Sequence, residues 1–317
     1  MEGNHRLVRL ALLCLAASPL AGCGGGGMFG SAPTAEQVKH ETLARVQSAT
    51  TALTSNQHVY RYDGRSSRTF TACDGTVCGV SPTSEGLQAA LARALADARL
   101  DFGSSHFAAR LEDSLELKRE TRAVNGVTLV EGYGLRSGDR AFSAKFFGAW
   151  LDDGAFFVNE ATLTVSDEGG RPDGLGTVFD ASAVGVANDA APAPVRGMSA
   201  TWVGMMIGAD VSDTVTRGQF LGGDATLVID DLADPDVDVV FSDFRDLETG
   251  ARLADRTIAP WRDVPLAGGS FGSKPAGSDD YIQGRFVGED HAGVVGIFER
   301  SNVVGSFGGN RQPGNQP

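Results

Sequence analysis

Residues 281–311 read YIQGRFVGEDHAGVVGIFERSNVVGSFGGNR, and three segments within them repeat one pattern: an apolar residue, Gly two positions on, and Phe two positions after that. The trios are Ile282–Gly284–Phe286, Val294–Gly296–Phe298 and Val303–Gly305–Phe307. Side chains alternate faces along a strand with period two, so each trio lies on one face of its own strand. Gly alternating with Phe on an inward face suits a small closed barrel, whose tapered interior takes small and large side chains in turn. The segments Gly288–Gly293 and Glu299–Asn302, rich in Gly, Asp, Ser and Asn, read as tight turns between these strands. The stretch predicts the closing meander of an antiparallel barrel.

Working back from the meander, further strands begin near Ala200, Ala225, Val237, Arg256 and Gly269. With those at Tyr281, Val294 and Val303 they complete the eight at which side chains just fill a barrel. Val237, Val239 and Phe241 alternate with Asp236, Asp238 and Val240, as a wall with one dry face requires. On such a packed barrel, a binding surface lies on the loops and the outer wall.

Together with Trp202–Val203–Gly204, the run Asp224–Ala225–Thr226–Leu227 and the final Gly305–Ser306–Phe307–Gly308–Gly309–Asn310–Arg311, residues 281–311 resemble a known family. It is the transferrin-binding-protein-like β-barrel surface lipoprotein family, which includes the lobes of transferrin-binding protein B and the factor H-binding protein. The resemblance covers residues 197–311, roughly a third of the chain. The family has an aromatic where Val287 stands, and a Glu-rich turn with a second Gly where residues 291–295 stand. What the resemblance implies is a barrel that presents loops to an extracellular protein ligand or solute carrier.

The chain start supplies an address. Arg6 and Arg9 precede the apolar run Leu10–Ala17, too short to span a bilayer, and Leu20–Ala21–Gly22–Cys23 places small residues before a Cys. This is the pattern of a bacterial lipoprotein signal, so Cys23 is the expected lipidation site, acylated with palmitate-type chains. Two or more acyl chains anchor stably where one does not. Gly24 follows Cys23 with no Asp, which is compatible with sorting to the outer membrane. The organisation expected is a signal peptide at 1–22, a Gly-rich tether at 23–33, an α+β region at 34–187, a linker at 188–196, the barrel at 197–311 and a disordered tail at 312–317.

Of the four cysteines, Cys14 leaves with the signal and Cys23 is acylated, so Cys73 and Cys78 remain. An even remainder in an oxidising compartment favours a disulfide, with Asp74–Val77 as a four-residue turn that sets the two opposite each other. A metal pair is the alternative, but one C-x4-C without a second pair or nearby His is poor zinc spacing.

The 34–187 region reads as two helices plus an antiparallel sheet. Thr34 with Gln37 forms a capping box, and Val38, Leu43, Val46, Thr50 and Leu53 fall on one face. A second helix runs from Glu85 to Ala98 with Leu87, Leu91 and Leu95 in a stripe. Val59–Val80 reads as a hairpin around the Cys pair, and Leu115–Val186 as strands. Asn125–Gly126, Ser137–Gly138–Asp139 and Asp152–Asp153–Gly154 mark the turns between those strands. With 42 glycines and few long periodic runs, the chain belongs to the mainly β class.

A net charge of −13 repels nucleic acid phosphates and excludes non-specific binding to them. No G-x-S-x-G elbow, H-E-x-x-H or Rossmann fingerprint is present, so the chain reads as a non-enzyme without a cofactor. Gly268–Lys274 resembles a phosphate loop but lacks the Gly-Lys-Ser/Thr ending, and Pro275 follows it. Asp230, Asp231, Asp234, Asp236 and Asp238 form an acidic run. Val239 stands where an EF-hand needs Gly and Arg245 where it needs Glu, so the run reads as a solvated turn. His5, His40, His58, His106 and His291 show no metal-ligand spacing, and His291 reads as a surface loop residue. Trp150, Trp202 and Trp261 read as core or girdle.

These observations favour a lipid-anchored, outer-membrane, surface-exposed binding protein. The alternative is a periplasm-facing structural envelope lipoprotein with a non-binding barrel scaffold. A lipocalin-like carrier needs an open mouth, which the inward Phe side chains would fill.

Overall fold

A computed structural model describes residues 44, 48–62, 67–73, 76–78, 115–116, 122–135, 143–166, 172–189, 198–212, 214–276 and 278–313. These belong to one compact unit, Ala32–Pro317. The N-terminal strands are β1 (Thr51–Thr54), β2 (Gln57–Tyr62), β3 (Ser67–Cys73), β4 (Thr76–Cys78), β5 (Leu115–Glu116), β6 (Arg122–Val124), β7 (Val127–Leu135), β8 (Ser143–Leu151), β9 (Gly154–Ser166) and β10 (Pro172–Gly185). They make an antiparallel sheet in the order β4-β3-β2-β10-β9-β8-β7-β5, with β1 paired to β10 and β6 to β7. The C-terminal strands are β11 (Ala200–Asp210), β12 (Phe220–Ile229), β13 (Asp236–Asp246), β14 (Trp261–Ala267), β15 (Ser270–Ser273), β16 (Tyr281–Val287), β17 (Gly293–Arg300) and β18 (Val303–Arg311). They close into an eight-stranded barrel, β18 returning to pair with β11.

The mainly β class and the eight barrel strands stand as the sequence predicts, with two boundaries moved. The second barrel strand starts at Phe220 rather than Ala225, and the fourth at Trp261 rather than near Arg256. The three trios point inward: Ile282, Phe286, Val294, Phe298, Val303 and Phe307 share one buried cluster with Trp202, Phe241 and Trp261. Their glycines have a sharper reason than the barrel's taper. Gly296 is the cross-strand partner of Phe307, Gly305 of Phe298 and Gly284 of Phe271. Each ring lies over the bare backbone of the next strand: a Cβ on Gly305 would stand 2.5 Å from the Phe298 ring.

The expected pair of helices is where the sequence reading departs. Among the described residues, α-helical backbone is confined to Ala44 and Ser48, both within the first expected helix, whose residues 34–43 and 45–47 lie outside the described residues. Thr51–Thr54, the end of the first expected helix, is strand β1, with Thr51 opposite Gly185 and Thr54 opposite Ser182. The β-branched Thr51 and Thr54 suit a pleated surface better than a helix, and strand pairing along β10 satisfies the backbone. Residues 85–98, the second expected helix, lie outside the described residues. The Asn125–Gly126 turn is as expected: φ is 50° and 76°, the left-handed pair of a two-residue hairpin between β6 and β7.

The sheet lies against the barrel wall. Met205, Ile207, Val295, Ile297 and Val304 leave the barrel outward and pack with Phe147, Leu151, Phe156, Val158 and Phe179 of the sheet in a second buried cluster. The contact is close enough that a Cβ on Gly308 would stand 2.5 Å from the Phe156 ring. Hydrogen bonds stitch the junction: Asn125 Nδ2 donates to Gly204 O (3.1 Å), Asn310 Nδ2 to Gly126 O (3.0 Å) and Ser306 Oγ to Phe157 O (2.9 Å). On the sheet's other side Phe146, Trp150 and Phe157 are buried as well.

The start of the expected linker is held on the barrel. Asn188 N donates to Phe286 O (3.0 Å) and its Nδ2 to Gly288 O (2.9 Å), while residues 190–197 lie outside the described residues. Arg285, outward by alternation, is not free in solvent. Its guanidinium donates to Thr51 Oγ1 (3.2 Å) and pairs with Asp189.

Candidate functional site

Each barrel strand ends at one of two rims, and the rims differ. At one, the β12–β13, β14–β15 and β16–β17 turns are short, and side chains stopper the opening. Trp202 Nε1 donates to His291 O (2.8 Å), Trp202 lies 4.6 Å from Phe286, and the His291 ring meets Phe286 edge-on at 5.4 Å. His291 is therefore buried, against its reading as a surface loop residue. A 3-10 turn, Glu289–His291, folds it back over the opening. Trp150, Trp202 and Trp261 are all core.

The other rim carries the longer connections, residues 211–219, 247–260 and 274–280, with the tight Ser301–Asn302 turn beside them. Buried carboxylates order it. Asp210, 1% exposed, ends β11; its Oδ1 accepts from Ser212 N (2.8 Å), and its Oδ2 from Thr216 Oγ1 (3.1 Å) and the Arg256 guanidinium (2.8 Å). Arg256 also donates to Ser301 O (3.1 Å), so one ion pair ties three loops.

Asp246 repeats the device at the end of β13. It accepts from Glu248 N and Thr249 N, both at 2.8 Å, and from Gln219 Nε2 at 2.7 Å. Burial pushes its carboxyl up, but the bonds from Gln219 and Thr249 and the charge of Lys145 outweigh that and hold it below the usual range.

A third anchor compensates for a short strand. β14 and β15 share the pairs Leu266↔Phe271 and Ala267↔Ser270, which leaves the start of β14 without a neighbour on that side. Arg300 spans the gap. Its Nε donates to Asp280 (3.2 Å) and its Nη1 to Ala259 O (3.1 Å) and Pro260 O (2.8 Å), while the guanidinium lies 4.2 Å over the Trp261 ring.

On this frame stands the 211–219 loop. Hydroxyl contacts of 2.7 Å join Ser212 to Thr214 and Thr214 to Thr216, and Arg217 Nε donates to Ser212 O (2.8 Å). Val215 at the tip is fully exposed. The arrangement is a set of loops held from below and open above. That suits recognition of a surface better than turnover of a small molecule.

The other residues singled out from sequence fall elsewhere. Cys23 lies outside the described residues. Cys73 and Cys78 belong to β3 and β4, whose register sets Cys73 opposite Thr76 and Cys78 opposite Thr71. The two Cys are therefore not directly opposed across the ladder, unlike the pairing expected from sequence. The acidic run lies at the stoppered rim. Asp231 accepts from Ala233 N (2.9 Å), and Asp238 pairs with Arg262. Burial, then Asp263, Asp238, Asp234 and Asp230, push the Asp236 carboxyl up. Among the described residues no group of three or more His, Cys, Asp or Glu is placed to hold a metal ion. Gly268–Lys274 is a hairpin turn and strand β15, not a phosphate loop.

Sequence reasoning missed Asp210, Asp246, Arg256 and Arg300. A signal exists for the first two: each Asp ends an alternating run and has Ser or Thr two or three residues on, the Asx-turn pattern.

No family model matches the chain, and no curated protein sequence is similar to it at a significant level. Among solved structures it is similar to intact Ap-TbpB with its N and C lobes, at 14% identity and a TM-score of 0.26, over 82% of this chain and 46% of that one. It is similar to isotype 1 transferrin binding protein B from serogroup B Neisseria meningitidis, at 14% identity and a TM-score of 0.31, over 81% and 44% of the two chains. A third is the N-lobe domain of lactoferrin binding protein B of Moraxella bovis, at 9% identity and a TM-score of 0.37, over 82% and 99%. The chain thus spans less than half the length of the first two proteins.

Proposed function

We propose that the chain is a lipid-anchored outer-membrane binding protein, displayed at the cell surface, whose barrel offers its long-loop rim to an extracellular macromolecule or solute carrier. The observation that carries this reading is the contrast between the rims. Both ends are closed by side chains, Trp202, Phe286 and His291 at one and Ile258 at the other, but only the second carries long loops, held on the buried Asp210 and Asp246 networks with Val215 exposed at a tip. Loops ordered before contact lose less freedom on binding, so this frame favours affinity. The sequence resemblance of the Gly–Phe strands points to the same class of protein.

The test is capture by the acyl-free Ala32–Pro317 chain from the fluids surrounding the cell. Val215→Glu, at the exposed tip of the loop, should weaken capture at least about tenfold, the loss of one interface anchor. Its unfolding midpoint should not move. Capture by both forms alike, or by neither, defeats the reading. The anchor has its own test: Cys23→Ser should release the protein from the membrane fraction and abolish palmitate labelling.

A further inference from the structure

At the end of the sheet–barrel junction nearest the long loops, two ionisable side chains meet. His58 of β2 faces Glu299 of β17 there, with Nε2 3.0 Å from Oε1 and side-chain exposures of 7% and 9%. Two features set this pair apart from an ordinary structural hydrogen bond. Nε2 makes no directed N–H···O bond despite the distance, and the second carboxylate oxygen, Oε2, has no hydrogen-bond partner among the described residues. The contact is an ion pair only with a proton on His58. A buried carboxylate that loses its counter-charge is strongly destabilising.

The neighbours sharpen the dependence. Phe179 separates His58 from Glu160 in a row that continues to Lys145. Lys145 pairs with Glu248 and lies beside the Phe147 and Phe220 rings. Burial pushes the Glu160 carboxyl up, with Lys145 opposing. From the barrel, Tyr281 is the cross-strand neighbour of Glu299, and its hydroxyl accepts from Asn56 N (3.3 Å). Burial and then the Glu299 charge push that hydroxyl upward, so it stays neutral. Asp180, on the sheet's other face by alternation, is bonded to Asn159 (2.8 Å). The acidic groups near this corner are Glu299, Glu160 and Asp180. Among the described residues, the basic side chain against Glu299 is His58.

We propose that His58 and Glu299 form a proton-operated clasp that holds the β1–β2 corner of the sheet to the barrel. Protonated, His58 neutralises Glu299 and the corner is closed. Loss of the proton leaves a buried, half-satisfied carboxylate, and the corner opens as pH rises through the range in which histidine discharges. Glu299 is followed directly by Arg300, which bridges to Ala259, Pro260 and Asp280, and by Ser301, which receives Arg256. Opening the clasp therefore loosens the long-loop rim. That consequence for binding rests on the reading of the rim given above, whereas the clasp itself does not.

The experiment is amide hydrogen exchange on the full chain, compared between about pH 5.5 and about pH 8, the span over which histidine changes charge. Rates are corrected for the intrinsic pH dependence of exchange. In the wild type, residues 51–58 and 299–302 should be protected at least about tenfold more at the lower pH, a modest share of what breaking a buried pair costs. His58→Gln should exchange at both pH values like the wild type at the higher one. Glu299→Gln, which removes the buried charge, should exchange slowly at both. No pH difference in the wild-type corner, or a full difference retained in His58→Gln, overturns the clasp. If either variant fails to fold, the wild-type pH series alone decides. Ligand capture is not part of the readout, so failure of the binding proposal leaves this result distinct.

Discussion

Phe298→Ala should destabilise the chain by about 3–5 kcal/mol, the range for removing a buried aromatic ring, against a total stability of about 5–15 kcal/mol for most domains. The ring is 0% exposed and central to the barrel's aromatic cluster, 4.7 Å from Phe241, 5.7 Å from Trp261 and 6.4 Å from Phe307. Its neighbours cannot close over the gap. Gly305 beneath it has no side chain to move in, and Trp261 is held on its far side by Arg300. The cost should therefore lie in the upper part of the range. The measurement is urea denaturation of the Ala32–Pro317 chain. Gln283→Ala is the control, because Gln283 lies next to Ile282 on the exposed wall and should cost less than about 0.5 kcal/mol. Equal effects at the two positions would show that the inward face is wrongly assigned.

The inward face was legible because period-two alternation of Gly and Phe has few other readings. The outward face was not read, although its signal is present. In β17, Val295 and Ile297 alternate with Val294, Gly296 and Phe298, so both sides of the strand are apolar. A strand apolar on both sides is covered on both sides. The cover is the N-terminal sheet, which meets Val295 and Ile297 with Phe156 and Val158. An isolated barrel at 197–311 would leave that wall bare.

The loop network was hidden for a different reason. Asp210 and Arg256 are 46 residues apart, and their pairing follows from closure of the barrel, which brings the ends of β11 and β17 beside the 247–260 loop. Local patterns reveal which Asp caps a turn but not which Arg will reach it. His58 and Glu299 are further apart still, and nothing local distinguishes either from a solvated surface residue. The Thr-rich β1 shows the converse: its helical spacing was a coincidence of a few apolar positions, and pairing along β10 overrode it.

Gly296→Val should cost about 3 kcal/mol or more, at the top of what overpacking usually costs. A Cβ at Gly296 would stand 2.5 Å from the carbonyl oxygen of Gln283 and 2.6 Å from Cε1 of Phe307, with the ring's Cζ nearer still. The first contact decides the magnitude. A ring can tilt, but Gln283 O belongs to the neighbouring strand β16, and that strand is registered to β17 from Tyr281↔Glu299 to Val287↔Gly293. Moving it means moving the ladder. Relief through Phe307 is also blocked, since that ring lies 5.6 Å from Phe241 and 6.4 Å from Phe271 in a filled interior. Gly296→Ala carries the same Cβ and should recover little of the loss, which separates a Cβ clash from mere excess volume. The double variant Gly296→Ala with Phe307→Leu should be no more stable than Gly296→Ala, because a smaller partner frees the ring's space but not the carbonyl's, and it gives up packing of a fully buried ring. Urea midpoints of the three variants provide the check. A Gly296→Ala chain as stable as the wild type would mean that the ring-over-glycine packing across these strands is not what selects glycine there.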